Sequence, residues 1–343
     1  FINKKFSKKK MNIKNSNIFF KDKKNETVSI FNIDNLELSF DKKNLENLII
    51  SNGKLFKVPF NFKWTKNFET DHRSEFSMEL KKLMLDINNI SISNNNQTKS
   101  RKNIISIGNA KFITDYKVEE DALLLNSKDS KLINNQIKYD GEVYLNPFDF
   151  NLNVYLEKLN IDKLITSNDI LKELLYTKVL FNKNLSANII VDVEKVIKNK
   201  LFDSGKIFLR FGNNSINLNN SYLISNKIGK LKLNNSSLKF IDDQLIYSST
   251  FNFEIKDQKE FYKSFQTPKK NRKKLKNIYL SIEFSILENN LNITKFVIND
   301  LNSEPSDPVK SILQEYSNNQ ETSIQNWIDL KIFFNKIFEN YEG

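Results

Sequence analysis

Residues 148–157 read Phe148-Asp149-Phe150-Asn151-Leu152-Asn153-Val154-Tyr155-Leu156-Glu157. Phe148, Phe150, Leu152, Val154 and Leu156 alternate with Asp149, Asn151, Asn153, Tyr155 and Glu157. Successive side chains of a strand point to opposite faces, so a period of two puts the whole apolar set on one side. The pattern recurs at Phe76-Met78-Leu80, Leu185-Ala187-Ile189-Val191-Val193, Ile207-Leu209-Phe211, Phe251-Phe253-Ile255 and Ile278-Leu280-Ile282-Phe284-Ile286. Strands buried on both faces in a parallel sheet are apolar at every position, whereas one-sided alternation belongs to an antiparallel sheet with one wetted face. The expected fold is mainly β, built on a long antiparallel sheet.

The turns have to be made with little glycine or proline, since 343 residues hold seven Gly and five Pro. Asn tolerates the left-handed backbone region and hydrogen-bonds its own backbone in turns. An A+T-rich coding bias accounts equally well for the excess of Asn, Lys and Ile. Between residues 207 and 256, Gly212-Asn213-Asn214, Asn219-Asn220, Ser225-Asn226, Asn234-Asn235 and Asp242-Asp243 predict a meander. Parity slips between Leu80 and Leu83 and between Ile87 and Ile90 predict bulges or tight turns. Helical spacing is local, at Asp162 to Tyr176 and at Asp257 to Gln266, the second stopped by Pro268. From Pro308 onward two amphipathic helices are expected, split by Ser317-Asn318-Asn319. The predicted organisation is a basic N-terminal segment (1–26), in which Ile18 to Phe20 can begin a strand, an extended sheet (27–301), and a linker plus amphipathic helices (302–343).

Composition narrows the chemistry. With 39% apolar residues and 28 Phe, the chain can cover a large sheet and does not read as disordered. The absence of Cys excludes disulfides, thiolate metal sites and cysteine nucleophiles. The only histidine, His72, sits between Asp71 and Arg73 and reads as a solvated loop residue without a second metal ligand. Glu119-Glu120-Asp121 lacks calcium-loop spacing and reads as an acidic turn. No phosphate loop, nucleophile elbow or zinc-protease motif is present. The expectation is a chain that is not an enzyme and has no catalytic residue, metal or cofactor, although two carboxylates need be close only in space. No apolar run reaches the roughly 18 residues of a membrane-spanning helix. The opening on Phe1 predicts a fragment of a longer chain.

The net charge of +12 would suit nucleic acid or an anionic membrane, but it is spread along the whole chain and reads first as solvation. The sharpest cluster is Lys269, Lys270, Arg272, Lys273 and Lys274. It is a candidate surface for anionic lipid headgroups, with a solvated connector as the plainer alternative. Nucleic acid is not expected, because aromatics such as Phe251 and Phe284 fall on the alternating apolar face rather than in a basic stacking stripe.

A one-faced sheet must bury its apolar side, and the predicted helices are few. A second layer, closure into a barrel, or a trough holding an apolar ligand all satisfy that need. Tyr139-Asp-Gly-Glu-Val-Tyr-Leu-Asn-Pro-Phe148 leads into the quoted strand. Leu201-Phe202-Asp203, Asn220-Ser221, Ile228-Gly229-Lys230-Leu231, Phe253 to Asp257, and Phe261-Tyr262-Lys-Ser-Phe265-Gln266-Thr-Pro268 with its basic run follow. Over residues 139–301 this stretch resembles the AsmA-like proteins of Gram-negative envelopes. A looser likeness covers 27–92, at Phe40, Leu45, Leu48-Ile49-Ile50 and Gly53-Lys54-Leu55.

The resemblance implies a periplasmic, membrane-associated protein whose long twisted antiparallel sheet is curled into a groove, with short inserted helices and a helical C-terminus. It implies phospholipid as the ligand and an inner-membrane anchor in a segment this chain lacks. Outer-membrane or periplasmic proteins are possible partners, and the role is outer-membrane homeostasis. An envelope scaffold with an ordinary packed core is the alternative. The expected groove lining is Phe150, Leu152, Val154, Ile189, Val191, Val193, Leu209, Phe211, Leu231, Leu233, Phe251, Phe253, Ile282 and Phe284.

Overall fold

The computed structural model describes residues 4–341 apart from 22–24, 26, 69–72, 95–96, 133–134, 146–147, 161–174, 176–177, 184, 287, 289, 318–323 and 325. The predicted helix over 162–176 and His72 therefore lie outside the described residues, save that Leu175 is helical and buried. Every strand pairing described below is antiparallel, so the chain is mainly β. It divides into two compact units, residues 1–157 with 163–189, and residues 158–162 with 190–343.

The first unit is built on eleven consecutive strands: β1 (Met11–Lys21), β2 (Thr27–Asp41), β3 (Glu46–Leu55), β4 (Val58–Asn67), β5 (Ser74–Leu80), β6 (Leu85–Asn94), β7 (Gln97–Ile107), β8 (Ala110–Val118), β9 (Ala122–Leu132), β10 (Asn135–Leu145) and β11 (Phe148–Leu159). Each pairs with the next in sequence. Directly opposed residues share a face, and the register therefore carries one apolar face across the meander. Ile49 faces Trp64, Trp64 faces Phe76, Met78 faces Ile87, Ile87 faces Ile105 and Ile105 faces Phe112. The other face carries exposed Asn52, Lys54, Asn61, Lys63, Asp86, Asn88, Lys102, Lys111 and Lys138. Phe20 of β1 meets Phe148 of β11 edge to face, with ring centroids 6.5 Å apart. The sheet of this unit is thus curled until the apolar sides of its first and eleventh strands touch.

Several local expectations change. β1 runs through residues 11–21 of the basic N-terminal segment, with Asn15 at φ 50° interrupting its alternation so that Ile13 opposes Leu36 and Ile18 opposes Phe31. The slip between Leu80 and Leu83 is a 3-10 turn, Lys81–Leu83, closed by Met84 in the left-handed region. Ile87 and Ile90 are not separated by a bulge, since Ile90 lies on the outer face opposite Glu75 and Lys102. Phe56 and Lys57, at φ 49° and 68°, form a two-residue hairpin turn that no sequence signal announces. At Gly53 the β2 backbone comes so close that a Cβ would run into the Asn32 carbonyl oxygen.

β12 (Ser186–Val196) has residues in both units. The second unit continues with β13 (Ser204–Gly212), β14 (Ser215–Asn217), β15 (Tyr222–Ser225), β16 (Gly229–Ile241), β17 (Gln244–Ile255), α1 (Gln258–Phe265), β18 (Asn277–Ser285), β19 (Asn290–Ile298), α2 (Asp307–Tyr316) and α3 (Trp327–Asn340). Turns at Asn213-Asn214 and Asp242-Asp243 have both residues at positive φ, as a tight hairpin turn requires. Asn234-Asn235 is instead a bulge inside β16, with Asn235 at φ 47°. It sits beside the break between β14 and β15, which both bridge β13 to β16. The Asn219 carboxamide patches the break by accepting the Ser236 N–H at 2.6 Å.

Candidate functional site

The inner face of the first unit is graded along its strands. Toward the 3-10 turn, Ile33, Val58, Phe60, Leu80 and Leu83 form a small buried cluster. Beyond it Ile49, Phe76, Ile87, Ile105 and Phe112 are half-buried. α1, α2 and α3 belong to the second unit. In β4–β8 the same face ends in polar groups: Lys66 and Ser74 are opposed, as are Ser91 and Arg101. Asn89 Nδ2 donates to Tyr116 Oη at 2.9 Å. Farther in on this face, the Thr114 and Tyr139 hydroxyls share a hydrogen bond between β8 and β10, and Ser127 and Ser130 of β9 share another at 2.6 Å. Apolar surface at one end and cationic or hydrogen-bonding groups at the other match the two parts of an amphiphile.

A strap from the N-terminal segment crosses this face. Asn47, completely buried on the inner side of β3, accepts the Phe6 N–H at 2.8 Å and donates to the Lys4 carbonyl at 2.8 Å. The Phe40 N–H donates to the Ser7 carbonyl at 2.9 Å. Phe6 then lies over Trp64 with centroids 6.3 Å apart, and Lys5 Nζ stands 5.4 Å from the Phe40 ring. Sequence reasoning missed this contact, because one buried Asn among so many Asn residues carries no signal.

Of the expected lining residues, Phe150, Leu152 and Val154 share the inner face of the first unit with their β10 neighbours Val143, Gly141 and Tyr139. Asn188 donates to Asn151 on the outer side at 2.9 Å, which turns Ile189 inward. In the second unit Lys206 pairs with Asp192 on one side at 3.2 Å, leaving Val191, Val193, Leu209 and Phe211 on the other. The register then joins Leu231 to Phe253, Leu233 to Phe251, and Phe251 to Leu280 on one face, with Ile282 and Phe284 in the same row of β18.

That face is not uniformly open. Phe253, Ile278, Phe296 and Ile298 are buried under α1, α2 and α3 in one core with Phe261, Phe265, Phe333, Phe334, Ile337 and Phe338. Leu231 and Ile282 pack against the same core. At this end the helices cover the sheet, and Leu231, Phe253 and Ile282 belong to an ordinary helix-on-sheet interior. Leu209, Phe211, Leu233, Phe251 and Phe284 stand outside that core and are half-buried, whereas Val193 is buried.

The basic run forms a short 3-10 turn, Lys269–Asn271, and a loop into β18. Lys269, Lys270, Arg272 and Lys274 are exposed and Lys273 is half-buried. Tyr262 of α1 pins the loop: its hydroxyl donates to the Lys273 carbonyl at 2.7 Å and accepts the Lys273 N–H at 3.0 Å. Burial pushes the Tyr262 phenol upward, against the opposing backbone bond and the Arg272 charge, so it stays protonated and keeps donating. Burial raises Tyr316 and Tyr341 in the same way.

Glu119, Glu120 and Asp121 form an exposed turn between β8 and β9. Among the described residues no three His, Asp or Glu side chains gather as a metal site. No described helix is long and apolar enough to cross a membrane. Comparison with protein-family models, curated proteins and solved structures gave no match to this chain.

Proposed function

We propose that this chain is a lipid-binding protein of the cell envelope that shields phospholipid acyl chains along the inner face of its curled sheet, on a route between inner and outer membranes. The observation that carries the reading is the half-buried apolar set Ile49, Phe76, Ile87, Ile105 and Phe112 on one face of the sheet, with Lys66, Ser74, Ser91 and Arg101 at one end of that face. Exposing acyl chains costs about 0.8 kcal/mol per CH₂, so a lipid with ~30 such groups faces on the order of 20 kcal/mol in water. An aliphatic and aromatic trough offsets most of that cost. Its contacts are nondirectional, which favours sliding over tight capture. The polar ends of β4–β8 supply partners for a headgroup. The likeness of residues 139–301 to AsmA-like proteins supports the same role and a periplasmic location.

A second reading, an envelope scaffold, draws on the helix-covered core of the second unit, which is packed as an ordinary interior. Mass spectrometry of lipid co-purifying with the gently extracted protein separates the two. The lipid reading expects phospholipid at near-stoichiometric amounts. A lipid-free protein in a native extract, unable to take up added phospholipid, would leave the scaffold.

A further inference from the structure

The outer side of α3 carries the most exposed isoleucines among the described residues, Ile328 at 62% and Ile332 at 54%. One helical turn apart, they form an aliphatic stripe opposite the buried Phe333, Phe334, Ile337 and Phe338. Beside the stripe, α3 packs against the Lys269–Asn271 turn. Lys331 Nζ donates to Gln266 Oε1 at 3.0 Å, Asn335 Nδ2 to the Phe265 carbonyl at 2.9 Å, and Trp327 lies 5.0 Å from the Phe265 ring. Exposed Lys269 and Lys270 of that turn therefore lie on the side of α3 next to the two isoleucines, with exposed Arg272 and Lys274 farther along the same loop. Glu260 is 3.3 Å from Lys263, and Glu339 lies exposed toward the far end of the stripe.

We infer that this face, Ile328 and Ile332 with the Lys269–Lys274 loop, docks the helical end of the second unit on an anionic bilayer. An interfacial helix combines an aliphatic stripe that enters the acyl boundary with cations at headgroup level. Two hydrogen bonds between Tyr262 and the Lys273 backbone tie the loop to α1, which packs against α3. Basic charge alone would suit nucleic acid equally. Two solvent-exposed isoleucines beside it favour lipid, since base stacking calls for aromatic platforms. The inference does not depend on the groove, because docking requires no bound lipid.

Flotation of the full chain with vesicles tests it. An equal mixture of phosphatidylcholine and phosphatidylglycerol should carry the protein to the top of the gradient, and phosphatidylcholine alone should not. Each lysine near an anionic surface is worth about a fivefold change in partitioning, so Lys269→Gln/Lys270→Gln/Lys274→Gln should lose ~100-fold. Ile328→Ser/Ile332→Ser should lose about tenfold or more. Lys54→Gln/Lys102→Gln/Lys138→Gln removes the same charge from exposed positions of the first unit and should change partitioning by no more than a few-fold. Circular dichroism confirms that each variant is folded. Equal loss in the two lysine triples, insensitivity to the isoleucine change, or absence of binding by the unmutated chain would overturn the inference. Such results would leave the groove reading untouched, since that is read by lipid co-purification.

Discussion

Asn47 shows what one side chain decides in this molecule. Fully buried, it offers a carbonyl to Phe6 and an amide to Lys4, the two groups that a neighbouring strand would offer, and so ties the strap over Trp64. Asn47→Ala leaves both backbone groups of the strap without that partner, at about 1–3 kcal/mol. Faster hydrogen exchange at Phe6, with β3 and β4 still protected, is the expected result. Asn47→Asp sets a buried carboxylate against the Lys4 carbonyl and should free the strap at least as much. Unchanged exchange in both variants would show that the strap is held by its other contacts. The periodic residues of the opening stretch were legible at this scale. Asn47 was not, because burial gives the residue its meaning and the sequence does not record burial.

The helices belong to the scale of elements. Asp257 caps α1 by accepting the N–H groups of Lys259 and Glu260, and Gln266 ends it in the left-handed region. Its buried face presents Phe261 to Phe253 at 5.6 Å, Phe265 at 4.4 Å and Phe338 at 6.0 Å. Phe261→Ala should cost about 3–5 kcal/mol through the cavity it leaves. In a thermal melt followed by hydrogen exchange, the second unit should lose protection at a lower temperature while β2–β8 keep theirs. Phe284→Ala, outside the helix-covered core, should cost much less. Equal costs would mean that the two aromatics are equally enclosed. The spacing in 257–266 and beyond Pro308 was enough to predict α1, α2 and α3. Amphipathicity says that a helix has a face to bury, yet not which surface receives it, so the covering of Phe253, Leu231 and Ile282 was invisible.

For the whole molecule, the expectation concerns what occupies the inner face. Ile105→Arg places a guanidinium in the middle of the half-buried row, where a charge among acyl chains is costly. Co-purified lipid should fall about tenfold if that row is the lipid path. Tyr155→Arg, on the exposed outer side of β11, should leave it unchanged. A folded Ile105→Arg protein with its full lipid load would defeat the groove mechanism. Val191→Asp and Phe284→Arg ask the same question of β12 and of the second unit.

The sequence alone determined the class of structure. A period of two, repeated from Phe76 to Ile286, admits only strands with one wet face, and that is a local property of the chain. Asn213-Asn214 and Asp242-Asp243 likewise announced their turns, because positive φ is a preference of the residues themselves. Tertiary structure alone decided which parts of the apolar face are covered. Long-range packing brings Phe20 to Phe148, the strap to Trp64, and three helices to the row from Phe253 to Ile298. Alternation fixes the side on which a residue stands. Only the packing of distant segments fixes what stands opposite it, and for this protein that separates an interior from a groove.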